Sequence, residues 1–154
     1  MNILLQTDGG ARGNPGPAGY GYVVTDITKS SAASPAIAHQ AEAGIILRKC
    51  GNYCGETTNN QAEYYGLING LAWIDTNIEE VDDLQIVMDS LLIVNQVKGL
   101  FKVKNPELIK RHQEVRGLLA HFPHWSISHT LRSGNSSADE LVNTAIDLRR
   151  QVIS

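Results

Sequence analysis
Four acids in this 154-residue chain stand where an ordinary surface carboxylate would not. Asp8 follows the apolar run Asn2 to Thr7, and Asp89 closes the run Asp83-Leu84-Gln85-Ile86-Val87-Met88. Glu63 lies on a helical stripe with Leu67, Leu71 and Ile74, at a position where a hydrocarbon is expected. Asp139 follows Ala138 in the first turn of the final amphipathic segment. Taken singly, an Asp after a strand is a turn former and an acid near a helix start serves the helix dipole. Only Glu63 escapes that account. Together the acids mean more. If the strands ending at Asp8 and Asp89 are parallel neighbours, their carboxylates meet at the carboxyl-end crevice where α/β sheets bind ligands. Clustered buried carboxylates repel and cannot stay ionised unpaired. No Lys or Arg is near enough in sequence to neutralise all four. Divalent cations that prefer oxygen, Mg²⁺ or Mn²⁺, fit such a set. Two such ions about 4 Å apart activate water and stabilise the leaving oxygen in phosphodiester cleavage.

The elements that must position these acids follow from the hydrophobic pattern. Asn2 to Thr7 reads as a buried strand, and Tyr20 to Thr25 as a second, entered from the glycine-dense loop that starts at Gly9. Lys29 to Ala43 is Ser- and Ala-rich, carries Pro35, and reads as a surface connection. Gly44 to Cys50 is a third strand. Three strands in a row argue against a simple βαβ repeat. Thr57-Thr58-Asn59-Asn60 are N-cap types ahead of the Glu63 helix. Asp83 to Asp89 is a fourth strand, and Ser90 opens a short helix carrying Leu91, Val94 and Val97 and ended by Gly99. Pro106 starts a helix to about Ala120, Trp125 to Thr130 alternates as a fifth strand, and Ser136 to Val152 is the last helix. No internal repeat and no second domain is visible, so residues 1–154 read as one domain.

Composition narrows the class. The formal net charge of −3 does not suit a protein that grips nucleic acid with its whole surface, so such binding needs a local patch or metal ions. No apolar run approaches the roughly 20 residues that span a bilayer, and the N-terminus lacks a signal pattern, so a soluble cytoplasmic protein is expected. Cys50 and Cys54, flanking what reads as a turn, lack companions at zinc-ligand spacing. Free thiols or a local disulfide are both open to them.

Four strings, in order, resemble the type 1 ribonuclease H family over nearly the whole chain. They are Thr7-Asp8-Gly9-Gly10-Ala11-Arg12-Gly13-Asn14-Pro15-Gly16-Pro17-Ala18-Gly19, then Thr57-Thr58-Asn59-Asn60-Gln61-Ala62-Glu63-Tyr64, then Met88-Asp89-Ser90, and last His129-Thr130-Leu131-Arg132 with Asn135 and Ala138-Asp139. The resemblance implies an α/β ribonuclease H-like fold: a five-stranded mixed sheet, its first three strands antiparallel, with helices on both faces. It implies that Asp8, Glu63, Asp89 and Asp139 are the catalytic acids and ligands of two Mg²⁺ ions, with Mn²⁺ a substitute. The implied substrate is the RNA strand of an RNA–DNA hybrid, cut to leave 3′-hydroxyl and 5′-phosphate ends. Oligomeric state is open, with a monomer the default.

By the same resemblance Asn14, Asn59 and Asn60 contact the hybrid's minor groove, where an amide can donate to or accept from a 2′-hydroxyl. Gln61 stands beside Glu63 for the same task, and turn or cap formation by the asparagines is compatible with it. Backbone N–H groups from Gly9 and Gly10 to Gly13 are open to a phosphate because glycine has no side chain to obstruct. Thr58 matches a phosphate-pocket threonine, although the basic residue that commonly accompanies it is Glu56 here. His129-Thr130-Leu131-Arg132 looks like the branch whose motif reads His-Val-Pro-Arg, so Arg132 is expected to take the phosphate or product contact and His129 to be a strand residue. The basic handle some members carry is absent. Lys98, Lys102, Lys104, Lys110 and Arg111 form a modest positive run, either a solvated face or a hybrid contact.

Rival readings fare worse. The glycine loop lacks a Gly-Lys-Ser/Thr ending and leads into a strand, unlike a P-loop. A phospho-receiver begins with alternating strand and helix. A hybrid-binding module that has lost catalysis is the remaining alternative, and retention of all four acids argues against it.

Overall fold
The computed structural model of the chain describes residues 1–29 and 44–154. The connection expected over 29–43 therefore lies outside the described residues, apart from Lys29. Three long strands come first: β1 (Asn2–Ala11), β2 (Gly16–Asp26) and β3 (Ile45–Thr57). Helix α1 (Asn59–Asn77), strand β4 (Asp83–Met88), helices α2 (Leu91–Lys98) and α3 (Pro106–Leu119), strand β5 (Trp125–His129), helix α4 (Ser136–Leu148) and strand β6 (Val152–Ile153) follow. The strands form one mixed sheet in the order β5-β4-β1-β2-β3-β6. β1, β2 and β3 pair antiparallel, while β4 pairs parallel with both β1 and β5.

Side chains alternate across each strand. Ile3 and Leu5 of β1 join Tyr22 and Val24 of β2 and Ile86 and Met88 of β4 in the main core, beneath Tyr64, Leu67, Leu71 and Ile74 of α1. The opposite face carries α4, which packs on β1, β2 and β3 through Ala138, Leu141, Val142 and Ala145. α1 starts where expected because Thr58 Oγ1 accepts the N–H of Gln61. Its stripe is buried as the spacing predicts, Glu63 included. Among the described residues no helix is long and apolar enough to cross a membrane.

Four expectations are corrected. Among the described residues the sheet has six strands, not five. The last helix stops at Leu148, since Arg149 takes a left-handed conformation (φ 50°) with its guanidinium over the Tyr53 ring. Val152 and Ile153, β-branched, then pair with Gly51 and Cys50 of β3. The spacing of four from Leu148 to Val152 mimics one more helical turn. Second, no turn lies between Cys50 and Cys54. β3 runs through both, and Gly51 is there because a Cβ would lie 2.6 Å from the Leu141 carbonyl of α4. Cys54 has no opposite residue, since the register passes from Tyr53 to Gly55 at a bulge. Both thiols are free. Third, the opening glycines are mostly strand: only Arg12 to Pro15 turn, and Asp8 pairs opposite Gly21 within β1 instead of closing the strand. Fourth, Leu91 is exposed on α2, and Ile93 is buried with Val94 and Val97.

Candidate active site
Register brings the first two acids together. β1 and β4 run parallel with Thr7 beside Met88, so Asp8, still in β1, and Asp89, just past the end of β4, come next side by side. Asp89 lies between the end of β4 and Ser90, which caps α2 by accepting the Ile93 N–H at 3.3 Å. Glu63 arrives from α1, one turn inside its N-terminus. That approach depends on Gly9, where a Cβ would lie 2.3 Å from the Ala62 carbonyl carbon. Any side chain at residue 9 would push the helix off the strand. One carboxylate oxygen from each of Asp8, Glu63 and Asp89 then lies within 4.8 Å of the other two.

The electrostatics follow from crowding. Burial, then the neighbouring charge of Asp89, pushes the Asp8 carboxyl up to about 8. Burial, then Asp8 and Asp89, holds Glu63 well above the usual carboxylate range. The Gly9 N–H donates to Asp8 Oδ1 at 2.9 Å and also favours ionised Glu63, opposing the rise without cancelling it. Glu63 Oε2 is buried with no hydrogen-bond partner. An orphaned, buried carboxylate oxygen beside two further carboxylates is a donor set that a hard, oxygen-seeking cation satisfies.

Asp139, in the first turn of α4, lines the same cleft of about 590 Å³ and adds to the upward push on Asp8, but it lies outside the tight trio. Its helix is tied to β1 by two side-chain amides. Asn135 Nδ2 donates to the Thr7 carbonyl at 2.7 Å, and Gln6 Nε2 to the Gly134 carbonyl at 3.3 Å. Asn135 is 1% exposed. Arg132 opens a short 3-10 turn, Arg132–Asn135, at the rim, with Nε 3.9 Å from Asp89 Oδ2. His129 is the last residue of β5, and its Nε2 lies 3.2 Å from the Asp89 carbonyl. As expected, the histidine belongs to a strand while the arginine stands free of one.

The remaining residues divide. Gly9, Gly10, Asn59, Asn60 and Arg132 line the cleft; Asn14, Thr58 and Gln61 do not. Asn14 and Asn59 act as a clasp between hairpin and helix: Asn14 Oδ1 accepts the Asn59 N–H at 3.1 Å, and Asn59 Oδ1 accepts the Ala11 N–H at 2.7 Å. Their oxygens are occupied, and their amino groups make no hydrogen bond to the described residues. The N–H groups expected to face a phosphate are largely committed, that of Gly9 to Asp8, of Ala11 to Asn59 and of Arg12 to the Pro17 carbonyl. Sequence reasoning missed Arg12 and Asn143 of the cleft wall. An arginine inside a glycine-rich turn was the available signal.

Comparison with known proteins agrees with this geometry. The family described as reverse transcriptase-like matches residues 6–145. A bifunctional protein of Mycobacterium tuberculosis is 36% identical over 98% of this chain, which spans 37% of that relative's length. The solved N-terminal RNase H domain of that protein superposes with a TM-score of 0.82, covering 97% of this chain and 96% of that one. Ribonuclease HI of Halobacterium salinarum is 37% identical over 91% of this chain and 62% of its own length. LC11-RNase H1, isolated from compost and solved in complex with an RNA/DNA hybrid, is 41% identical with a TM-score of 0.80, covering 96% of this chain and 98% of that one. Fold, motif order and similarity agree: the chain belongs to the type 1 ribonuclease H family.

Proposed function
We propose that this chain is a ribonuclease H that hydrolyses the RNA strand of RNA–DNA hybrids, leaving 3′-hydroxyl and 5′-phosphate ends. The observation that carries the reading is the convergence of Asp8, Glu63 and Asp89 within 4.8 Å around an unpartnered Glu63 oxygen. Asp8, Glu63, Asp89 and Asp139 are the catalytic acids and would hold two Mg²⁺ ions, with Mn²⁺ as a substitute. Bound there, the ions supply activation of the attacking water and neutralisation of charge on the leaving oxygen. The chain's own residues do the rest. Gly9 lets α1 carry Glu63 to the strand, and Asn135 holds the Asp139 helix against β1. Asn59 and Asn60 offer amino groups from the cleft wall to a 2′-hydroxyl, the group that separates RNA from DNA. Gly10 lines the floor beside them. Asn14, Thr58 and Gln61 support that surface from behind, through the clasp and the helix cap. Arg132, exposed beside Asp89, takes a phosphate of substrate or product.

The hybrid complex of LC11-RNase H1, at 41% identity, supports the substrate class. We read residues 1–154 as one catalytic domain acting as a monomer, and the two free thiols suit the cytoplasm. The test is cleavage of end-labelled RNA–DNA hybrid in Mg²⁺, with double-stranded RNA and double-stranded DNA as controls. Cleavage of the RNA strand in the hybrid alone is expected. Binding of hybrid without any cut, in Mg²⁺ or Mn²⁺, would instead support a hybrid-binding module that has lost catalysis.

A further inference from the structure
A cleft lined by four carboxylates must admit a polyanion, so the cations on its wall matter. Among the described residues only two lining side chains carry a permanent positive charge, Arg132 beside Asp89 and Arg12 on the hairpin turn. Arg12 is held on its backbone side: its N–H donates to the Pro17 carbonyl at 2.8 Å, and a Cβ on Gly16 would lie 2.2 Å from the Arg12 carbonyl oxygen. Its side chain crosses to α4, where Nη1 pairs with Asp147 and Nη2 lies 3.4 Å from the Asn143 carbonyl. Both members of that ion pair are about half exposed. An exposed pair of this kind is weak and salt-screened, whereas an arginine on a phosphate makes two charge-assisted hydrogen bonds. The contact is therefore one that an incoming phosphate can take over.

Resting on the reading of hybrid cleavage, we propose that Arg12 is a substrate-binding residue that grips a backbone phosphate of the hybrid and that Asp147 competes for it. Arg12 lies four residues past Asp8, just beyond the end of β1, so about 13 Å of chain at the usual strand rise separates them. The phosphate it holds is consequently not the one being cut. Arg12 and Arg132 then bracket the acids, each holding the duplex on one side. Asp147 keeps the guanidinium placed over the cleft and charge-compensated until the substrate arrives.

Competition gives opposite signs for the two partners, which a simple hairpin-to-helix tie cannot. The experiment measures KM and kcat for hybrid cleavage in Mg²⁺ across a salt series, for the unmodified protein, Arg12→Ala, Asp147→Asn and the double variant. Arg12→Ala is expected to raise KM about tenfold, to lower kcat by less than threefold, and to flatten the slope of log affinity against log salt by about one. Asp147→Asn is expected to lower KM about two- to threefold. The double variant should match Arg12→Ala, because Asp147 acts only through Arg12. Arg12→Lys should recover part of the affinity, as a point charge without the fork. Equal losses from Arg12→Ala and Asp147→Asn with an unchanged salt slope would overturn the proposal and leave a structural tie, as would no change from either. Thermal melts of each variant separate a folding defect from a binding one. Failure of the unmodified protein to cut hybrid would overturn the underlying reading, and it shows before any variant is made.

Discussion
The two walls of the cleft are built on different principles. On one, Asp8 and Glu63 are buried, 4% and 8% exposed, and held by backbone register and a helix seated on a glycine. On the other, Arg132 is 80% exposed in a four-residue 3-10 turn, and Asp139 is half-buried at a helix start. The second wall is joined to the first by two amide hydrogen bonds from Asn135 and Gln6. The first wall fixes its carboxylates at the cost of crowded charge, and the second is open; on the proposed function that opening leaves room for a duplex to arrive and a product to leave. On the proposed function, the buried acids of the first wall should act on kcat and on metal-linked stability, and Arg132 on the second should act through its contact with substrate or product.

The largest effect is expected at the crowded wall. Asp8→Asn should lower hybrid cleavage by about a thousandfold or more, because it removes a carboxylate from the proposed cation site. In metal-free buffer at pH 8 the same variant should melt higher than the unmodified protein, by on the order of 2 kcal/mol, since like-charge repulsion is relieved. A variant that lost activity and melted lower would break the contrast between the walls.

Next comes the tie between them. Asn135→Ala should lower kcat about tenfold with little change in KM, and cost about 2 kcal/mol in stability by removing a buried hydrogen bond to the Thr7 carbonyl. Kinetics paired with denaturant melts check this. An effect confined to KM would place Asn135 with the substrate instead.

The pH dependence comes third. Asp8's carboxyl is pushed up to about 8, so between the ordinary carboxylate range and pH 8 the native state keeps a proton that the unfolded chain has released. Metal-free stability should therefore fall as pH rises from about 4 through about 8, and Glu63, also raised by burial and by its acidic neighbours, adds to that fall. Millimolar Mg²⁺ should remove most of that fall by binding the ionised acids. Melting curves from pH 4 to 9 with and without Mg²⁺ read both trends, and a metal-free stability that rises over this range would contradict the crowding.

The smallest effect lies at the rim. Arg132→Ala should slow turnover about five- to tenfold, and His129→Ala by no more than about twofold, since among the described residues the imidazole's hydrogen bond goes to the Asp89 carbonyl and not to a carboxylate. Steady-state kinetics on the two variants decide it, and the reverse order would move the rim function to His129.

What was legible in the residues tracks these walls. Strands β1 and β4 and the α1 stripe were readable because burial writes period 2 or 3.6 directly into residue type, whereas Asp139 was marked only by the family resemblance. Glu63 was the clearest signal, an acid on an otherwise apolar stripe. Glycine misled in two directions. Gly9 and Gly51 looked like loop and turn residues, yet both sit in strands, lacking a Cβ because a helix backbone presses there. Such contacts are long-range and leave no local pattern. The end of α4 and strand β6 were hidden for a related reason: Arg149 stops the helix in a conformation that glycine or asparagine usually takes. Arg12 was overlooked because its partner, Asp147, is on the far side of the chain in sequence.

The central claim is that the converged acids form a divalent-cation site that cuts hybrid RNA. One titration tests it: the unmodified protein and Glu63→Gln, each stripped with chelator, are given increasing Mg²⁺ while RNA cleavage in a labelled hybrid is followed. Expected are no cut in chelator, a saturable rise with Mg²⁺, and at least a hundredfold less cleavage by Glu63→Gln at every concentration. Hybrid cut in excess chelator, or cut by Glu63→Gln at the unmodified rate, would contradict it.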